Sequence, residues 1–486
     1  MERKNIYMCM LAALLSCSDS VKVSRTLDEM PVIFPDYNGV VIPPNIAPLN
    51  FALNDQDAGS CAVFSFGGQQ FEVKGEKGGF VIPPSKWKKL LESAAGNSIQ
   101  VTVQVKQGNE WVAYSPFTIQ VAAEKIDSYL AYRLIDPGYE LWNKMGIYQR
   151  DLESYTQTPI IENKMSGNNC VNCHSFCMQN PDKMLFHMRE TFPGTILVDG
   201  DKIEKLNTKT RETISSLVYP SWHPSGKYVA FSVNTTKQAF HLNDKNRVEV
   251  YDEASDVVVY DVEKHEIVTA STIFSKDAFE TFPTFSPDGK TLYFCTAEAR
   301  PIPQEYSEVK YNLCSISFDP ATRTFGTQVD TLYNAKSGGM SASFPRVSPD
   351  GRYLLYTLSG YGNFSIWHKD ADLYMTDLQT GTSRSLAEVN SDDVESYHSW
   401  SSNSRWFVFS SRRIDGLYTR PYIAYVGEDG KVGKPFLLPQ KDVGFYPSFM
   451  KSFNIPEFIT GKVKVQGRAL AIKAKEDKGT DVRFAK

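Results

Sequence analysis

Cys170, Cys173 and His174 stand in the run NNCVNCHSFCM (168–178), and their types and spacing allow three chemistries. Two thiols three positions apart can add to the two vinyl groups of one haem, and the adjacent imidazole is then held beneath the iron as its axial ligand. Alternatively, Cys170, Cys173, Cys177 and either His174 or His187 could give zinc a tetrahedral set of three thiolates and an imidazole. No second C-x-x-C occurs to close such a knuckle, which weakens the zinc alternative. The third option is a Cys170–Cys173 disulfide, but a redox pair of that kind belongs at the start of a helix in a βαβ unit, and here the motif opens a strand. With 8 Cys and 7 His in 486 residues, composition alone yields on the order of 0.002 C-x-x-C-H matches. One haem c is therefore the expected cofactor, with Cys170 and Cys173 as covalent attachment points and His174 as proximal ligand.

A second protein ligand would make an electron-transfer iron, whereas an open position would allow ligand chemistry. His187 is the first candidate for that sixth position, His398 the second and Met188 the third; alternation places His187 and Met188 on opposite faces of one strand. Ordinary packing is the competing reading for each. His223 lies in a turn and is expected at the surface. The stretches SIWHKDADLY (365–374) and SSRRIDGLYTRPY (410–422) gather charged and aromatic residues that could meet a cation or an anion, but loops between strands explain them as well.

The elements that must position these residues repeat. YPSWHPSGKYVAF (219–231), FPTFSPDGKTLYF (282–294), FPRVSPDGRYLLY (344–356) and YHSWSSNSRWFVF (397–409) share a short strand, a tight turn and a second strand of alternating apolar and aromatic residues; YPSF (446–449) begins a shortened copy. Repeats of three or four strands at this spacing read as propeller blades. The copies resemble the repeats of TolB-type β-propellers over about 170–460, which implies six blades and a protein-binding scaffold. NCVNCHSF, laid over the signature, supplies the sixth copy. Cys170 then shares a column with Tyr219 and Cys173 one with Trp222, while His187 takes the column of Phe231, Phe294, Tyr356 and Phe409. Copies starting at 170, 219, 282, 344, 397 and 446 complete the count. The motif itself resembles a c-type cytochrome site.

The N-terminus reads as an address. MERKNIYMCMLAALLSC (1–17) has a charged start, an apolar run too short to span a bilayer, and a final Leu-Leu-Ser-Cys that resembles a bacterial lipobox, so Cys17 is the expected lipidation site. Residues 26–124 alternate as in a β-sandwich, expected to be immunoglobulin-like, with one helical interruption at 85–96. Residues 126–165 lack the signature and are expected to complete the last blade; the propeller spans 166–466, and 467–486 reads as a polar, frayed tail.

The fold class is thus all-β, a six-bladed propeller after a small sandwich. A net charge of -4 gives no basic footprint, so nucleic acid is not an expected partner. No phosphate loop, nucleophile elbow or H-E-x-x-H motif occurs. The expectation is an envelope lipoprotein, periplasmic or outer-membrane, held by its lipid anchor and meeting a redox or envelope protein partner. It would be an electron carrier, redox sensor or component of c-type cytochrome assembly rather than an enzyme. The alternative is a protein- or glycan-binding scaffold with a structural Cys/His clip.

Overall fold

The computed structural model describes residues 21–54, 59–136 and 144–485. The expected leader and Cys17 lie outside the described residues. The chain is a β-propeller preceded by a smaller β-rich module, with strands far outnumbering helices.

Consecutive four-stranded antiparallel sheets form the propeller: sheet I (170–207), II (217–268), III (278–333), IV (341–385) and V (395–437). Sheet VI is composite. Its first strand is Ser452–Ile459, which pairs with Tyr129–Ile135, and Gly146–Asp151 and Gln157–Glu162 complete it. Each first strand packs on the next, and Ser452–Ile459 packs on Cys170–Phe176, so the first strands form a closed ring around an axis. The alternation of large apolar residues fills the spaces between sheets. Phe186, Met184 and Met188 pack toward sheet VI, while Leu185, Trp222, Phe231 and Tyr260 fill the space between sheets I and II.

Each first strand carries the same irregularity. Cys173, Tyr219, Phe282, Phe344, Tyr397 and Ile455 have left-handed backbones, with φ between 48° and 53°. In sheets I to V, this residue and its successor oppose a single residue of the second strand. Such a bulge re-aims side chains and bends the strand. These six residues are therefore equivalent, which corrects the column assignment from the sequence by three positions. Cys173, not Cys170, matches Tyr219; His174 matches Pro220; Phe176 matches Trp222. In the second strand Phe186 keeps the aromatic column of Phe231, and His187 falls with Ser232. The copy expected at Tyr446 is displaced as well. Phe445–Ser448 is a short helical turn, and the sixth copy is Asn454-Ile455-Pro456-Glu457-Phe458.

The segment expected to fray is bound instead. Helix Gly467–Ala474 buries Leu470 and Ala474 against sheets VI and I. Lys205 of sheet I donates to the carbonyls of Ala474 and Glu476 at 2.9 and 2.7 Å, capping that helix end. Thr480–Asp481 then adds a parallel strand to sheet I, and Arg483–Phe484 adds one to sheet II.

In the N-terminal module a seven-stranded sheet and a three-stranded sheet pack around Phe51, Phe64, Phe80 and Trp87. Its helix runs Pro84–Ala94, and Gly96, at φ 77°, turns the chain out of it. Parallel pairings of Val23–Thr26 with Glu110–Ala113 and of Phe117–Val121 with Val41–Ile42 flank antiparallel central strands. The module's core runs without a break into sheets IV and V.

Candidate functional site

The six left-handed residues meet at the axis. Tyr219 and Phe282 have ring centroids 4.7 Å apart, Phe282 and Phe344 4.0 Å, and Phe344 and Tyr397 4.9 Å. Cys173 and Ile455 occupy the two remaining positions, so a thiol takes part in an otherwise apolar and aromatic floor. A left-handed backbone costs a non-glycine residue about 1–3 kcal/mol, and aromatic pairs of this kind return about 0.5–1.5 kcal/mol each. The packing of the floor thus offsets part of the strain that creates it.

Beyond this floor the channel widens into a funnel of about 1210 Å3, part of it open to solvent. Two residues further along each strand come Ser175, Ser221, Thr284, Arg346, Ser399 and Glu457, a polar girdle in the funnel wall. Ser221 donates to Thr284 at 3.3 Å. Arg346 and Glu457 are half-buried by surface area but lie deep in the funnel, where dehydration dominates. Burial pulls the Arg346 pKa down and pushes the Glu457 carboxyl up to about 8, even though Glu457 accepts a hydrogen bond from the Phe176 amide at 3.0 Å. None of the girdle residues was given a role in the sequence reading, although their places follow directly from the aromatic-Pro column two residues earlier.

His174 lies in the same wall, 3% exposed, between the floor and the girdle. Neither ring nitrogen has a hydrogen-bond partner; the Ile455 backbone faces the ring without reaching hydrogen-bonding geometry. Burial and the Arg133 guanidinium hold its pKa down at about 3, so the imidazole is neutral at physiological pH. A buried polar group without a partner is costly, roughly 1–3 kcal/mol.

The other expected ligands are placed differently. Cys170 is buried at the head of its strand but does not line the funnel; burial raises its pKa, while Arg133 and Arg189 lower it. The six described cysteines are all free thiols, so the Cys170–Cys173 disulfide is not formed. Cys177 turns into the core between sheets I and II, near the His223 carbonyl, with its thiol pushed up to about 11 by burial. Among the described residues no group of three or more His, Cys, Asp or Glu side chains is placed to hold a metal, so the proposed zinc set is not assembled. His187 is buried, its Nδ1 3.2 Å from Thr195 Oγ1, and Met188 packs in the core toward sheet VI. Neither lines the funnel, because the three-position correction moves both away from the axis. His398 does line it, but its Nε2 donates to the Leu355 carbonyl at 3.0 Å. His223 is buried rather than superficial, wedged between sheets II and III with Nε2 3.0 Å from the Gly289 carbonyl. A Cβ on Gly289 would stand 2.1 Å from that nitrogen.

Tested against a haem, the residues fit in part. The orphaned neutral imidazole of His174 has the character of an axial ligand, and the free thiol of Cys173 borders the same funnel. Cys170 does not share that cavity.

Among solved structures, the tricorn protease is similar over 71% of this chain and 34% of its own, at 13% identity and a TM-score of 0.35. An ancestral GH74 enzyme is similar over 65% of this chain and 39% of its own, at 10% identity and a TM-score of 0.34. Porphyromonas gingivalis dipeptidyl peptidase 4 is similar over 66% of this chain and 53% of its own, at 12% identity and a TM-score of 0.31. This chain thus spans only about a third of the tricorn protease, and at these values nothing about its activity follows from any of the three. No protein-family model and no curated protein matches the sequence.

Proposed function

We propose that this chain is an envelope-anchored, six-bladed propeller of the TolB type whose axial funnel holds one haem on His174. The observation that carries the reading is the His174 imidazole: buried in the funnel wall, neutral, and without a partner on either nitrogen. Its C-x-x-C-H context supplies the thiols, with Cys173 in place beside the funnel and Cys170 the weaker attachment point. Haem bound here would supply redox chemistry. The protein's own part is to hold the group, exclude water through the aromatic floor and present Arg346 as a counter-charge. Electron transfer or redox sensing beside an envelope partner follows, with Cys17 as the lipidated anchor and the module at 26–124 as an immunoglobulin-like accessory unit.

A denaturing gel stained for haem peroxidase activity, with a pyridine haemochrome spectrum, tests this on protein exported from a host equipped for c-type maturation. A stained band with a c-type α-band supports the reading. A colourless protein overturns it.

The second reading is a scaffold whose funnel binds a protein or glycan without haem. It is favoured by Cys170, which stands off the funnel, and by Cys173, which packs as one member of the floor.

A further inference from the structure

The second and third strands of sheet II, Tyr228–Phe240 and Val248–Asp261, run well past their neighbours and carry the turn 241–247 over the face opposite the funnel. Buried Asn246 docks that turn: its Nδ2 donates to Tyr361 Oη at 3.2 Å and its Oδ1 accepts from the Lys369 amide at 3.3 Å. Glu249, equally buried, pairs with His368 Nε2 at 3.0 Å and accepts from the Tyr361 hydroxyl. Docking forms one wall of a cavity of about 770 Å3, part of it open to solvent, against sheets IV and V. It brings together the two charged stretches at 365–374 and 410–422 that the haem reading leaves unused.

At the cavity's base is Arg412, 4% exposed. Its guanidinium lies 3.2 Å from the centroid of the Trp367 ring. Nε donates to the Ile366 carbonyl at 2.9 Å and Nη1 to the Leu417 carbonyl at 2.5 Å, while Nη2 has no acceptor among the described residues. Lys245, Arg247 and Lys369 surround the cavity with further positive charge, and Asp244, Asp393 and Asp415 add carboxylates. The opposing charges are poorly matched: Lys369 and Asp393 approach only to 3.9 Å, and Asp415 is also drawn to Arg420, at 3.7 Å.

A neutral sugar would leave the Arg412 edge unmatched, and a bare oxyanion would face the three carboxylates. A ligand with one anionic group and several hydroxyls answers both, because the carboxylates then accept hydroxyl hydrogen bonds while the guanidinium takes the anion in its planar fork. We propose that this cavity is a binding site for an acidic saccharide, with its carboxylate on Arg412 and its hydroxyls on Asp393 and Asp415.

The test is titration of the full chain with D-glucuronate, with D-glucose and acetate as controls for hydroxyls and charge alone. A short uronate oligosaccharide distinguishes a polymer from a free sugar acid as the natural source. Glucuronate or the oligosaccharide should bind about tenfold more tightly than either control. An Arg247→Ala/Lys369→Ala variant, altered only at exposed side chains and checked by its melting curve, should lose about tenfold in that affinity. Equal binding of uronate and acetate, binding unchanged in the variant, or no binding of any sugar would overturn the proposal. The outcome is independent of haem, which concerns the opposite mouth of the channel.

Discussion

His174 in sheet I and His398 in sheet V occupy the same place in their strands, directly after the left-handed residue of the inner bulge, where sheets II, III, IV and VI have Pro220, Pro283, Pro345 and Pro456. Both imidazoles are 3% exposed, line the funnel and are held neutral by burial, with pKa values near 3. They differ in what they touch. His398 reaches into sheet IV and gives its Nε2 proton to the Leu355 carbonyl. His174 has no partner in hydrogen-bonding geometry; the Ile455 backbone only faces its ring. An imidazole that replaces proline can therefore be structural at this position, and His398 shows what that looks like. The contrast makes His174 the residue that packing does not explain.

The largest effect expected from this contrast is on the cofactor. Cys173→Ala should remove covalent haem from a matured preparation, whereas Cys170→Ala should leave part of it; haem staining of denatured protein reads both, and full retention in Cys173→Ala would sink the assignment. Next in size is a stability difference between the two histidines. His398→Ala, which loses a buried hydrogen bond and opens a cavity, should cost about 2–3 kcal/mol in a urea titration.

A pH series separates the imidazoles from the carboxylates around them. The three depressed histidines, His174, His187 and His398, stabilise above the unfolded pKa of about 6.5, and that contribution is lost as pH falls toward 3. Raised carboxyls act in the opposite sense. Burial lifts Asp252 to about 7 and both Glu280 and Glu457 to about 8, so their contribution is present at low pH and is lost as pH rises through those values. From pH 6.5 to 8.5 the histidines are silent and stability should decline; Glu457→Gln should flatten that decline, and an unchanged slope would remove Glu457 from the account. The smallest effect is expected from His174→Pro. Four of the six strands carry proline here, so the variant should stay within about 1 kcal/mol of the parent while losing haem. A large destabilisation would make His174 structural after all.

The repeat was legible because its units follow elementary rules: alternation for half-buried strands, Pro and Gly at turns, aromatic residues facing the neighbouring sheet. The register of sheet I was not. Matching Cys170 to Tyr219 treats both as replaceable packing residues, while the backbone is governed by the left-handed position, which sequence does not display. One signal was available: His174-Ser175-Phe176 parallels His398-Ser399-Trp400, and both parallel Pro220-Ser221-Trp222. The last copy misled for the opposite reason. Tyr446-Pro447-Ser448-Phe449 has the right letters, but Tyr446 is held in a helical turn, its carbonyl accepting from Arg420 and its hydroxyl donating to the Leu438 carbonyl at 2.6 Å. The funnel's chemistry was legible only as the C-x-x-C-H motif: the repeat columns place Arg346 in the girdle, but Glu457 joins it only once the sixth copy is moved from Tyr446 to Asn454.

Sheet VI sets a schedule for folding. Its outer strands, 129–162, are made about 290 residues before their partner Ser452–Ile459. At typical rates of about 5–20 residues per second, the edge of Tyr129–Ile135 stays open for roughly 15–60 s of synthesis. An open strand edge is a template for wrong partners. During that interval the demand falls on chaperones and on the speed of the remaining sheets, so this ring is most vulnerable to aggregation before its last strand arrives. A circular permutant that begins at Ser452 would make that strand before Tyr129–Ile135, so the edge would meet its partner on emerging and should lose less to aggregate during synthesis.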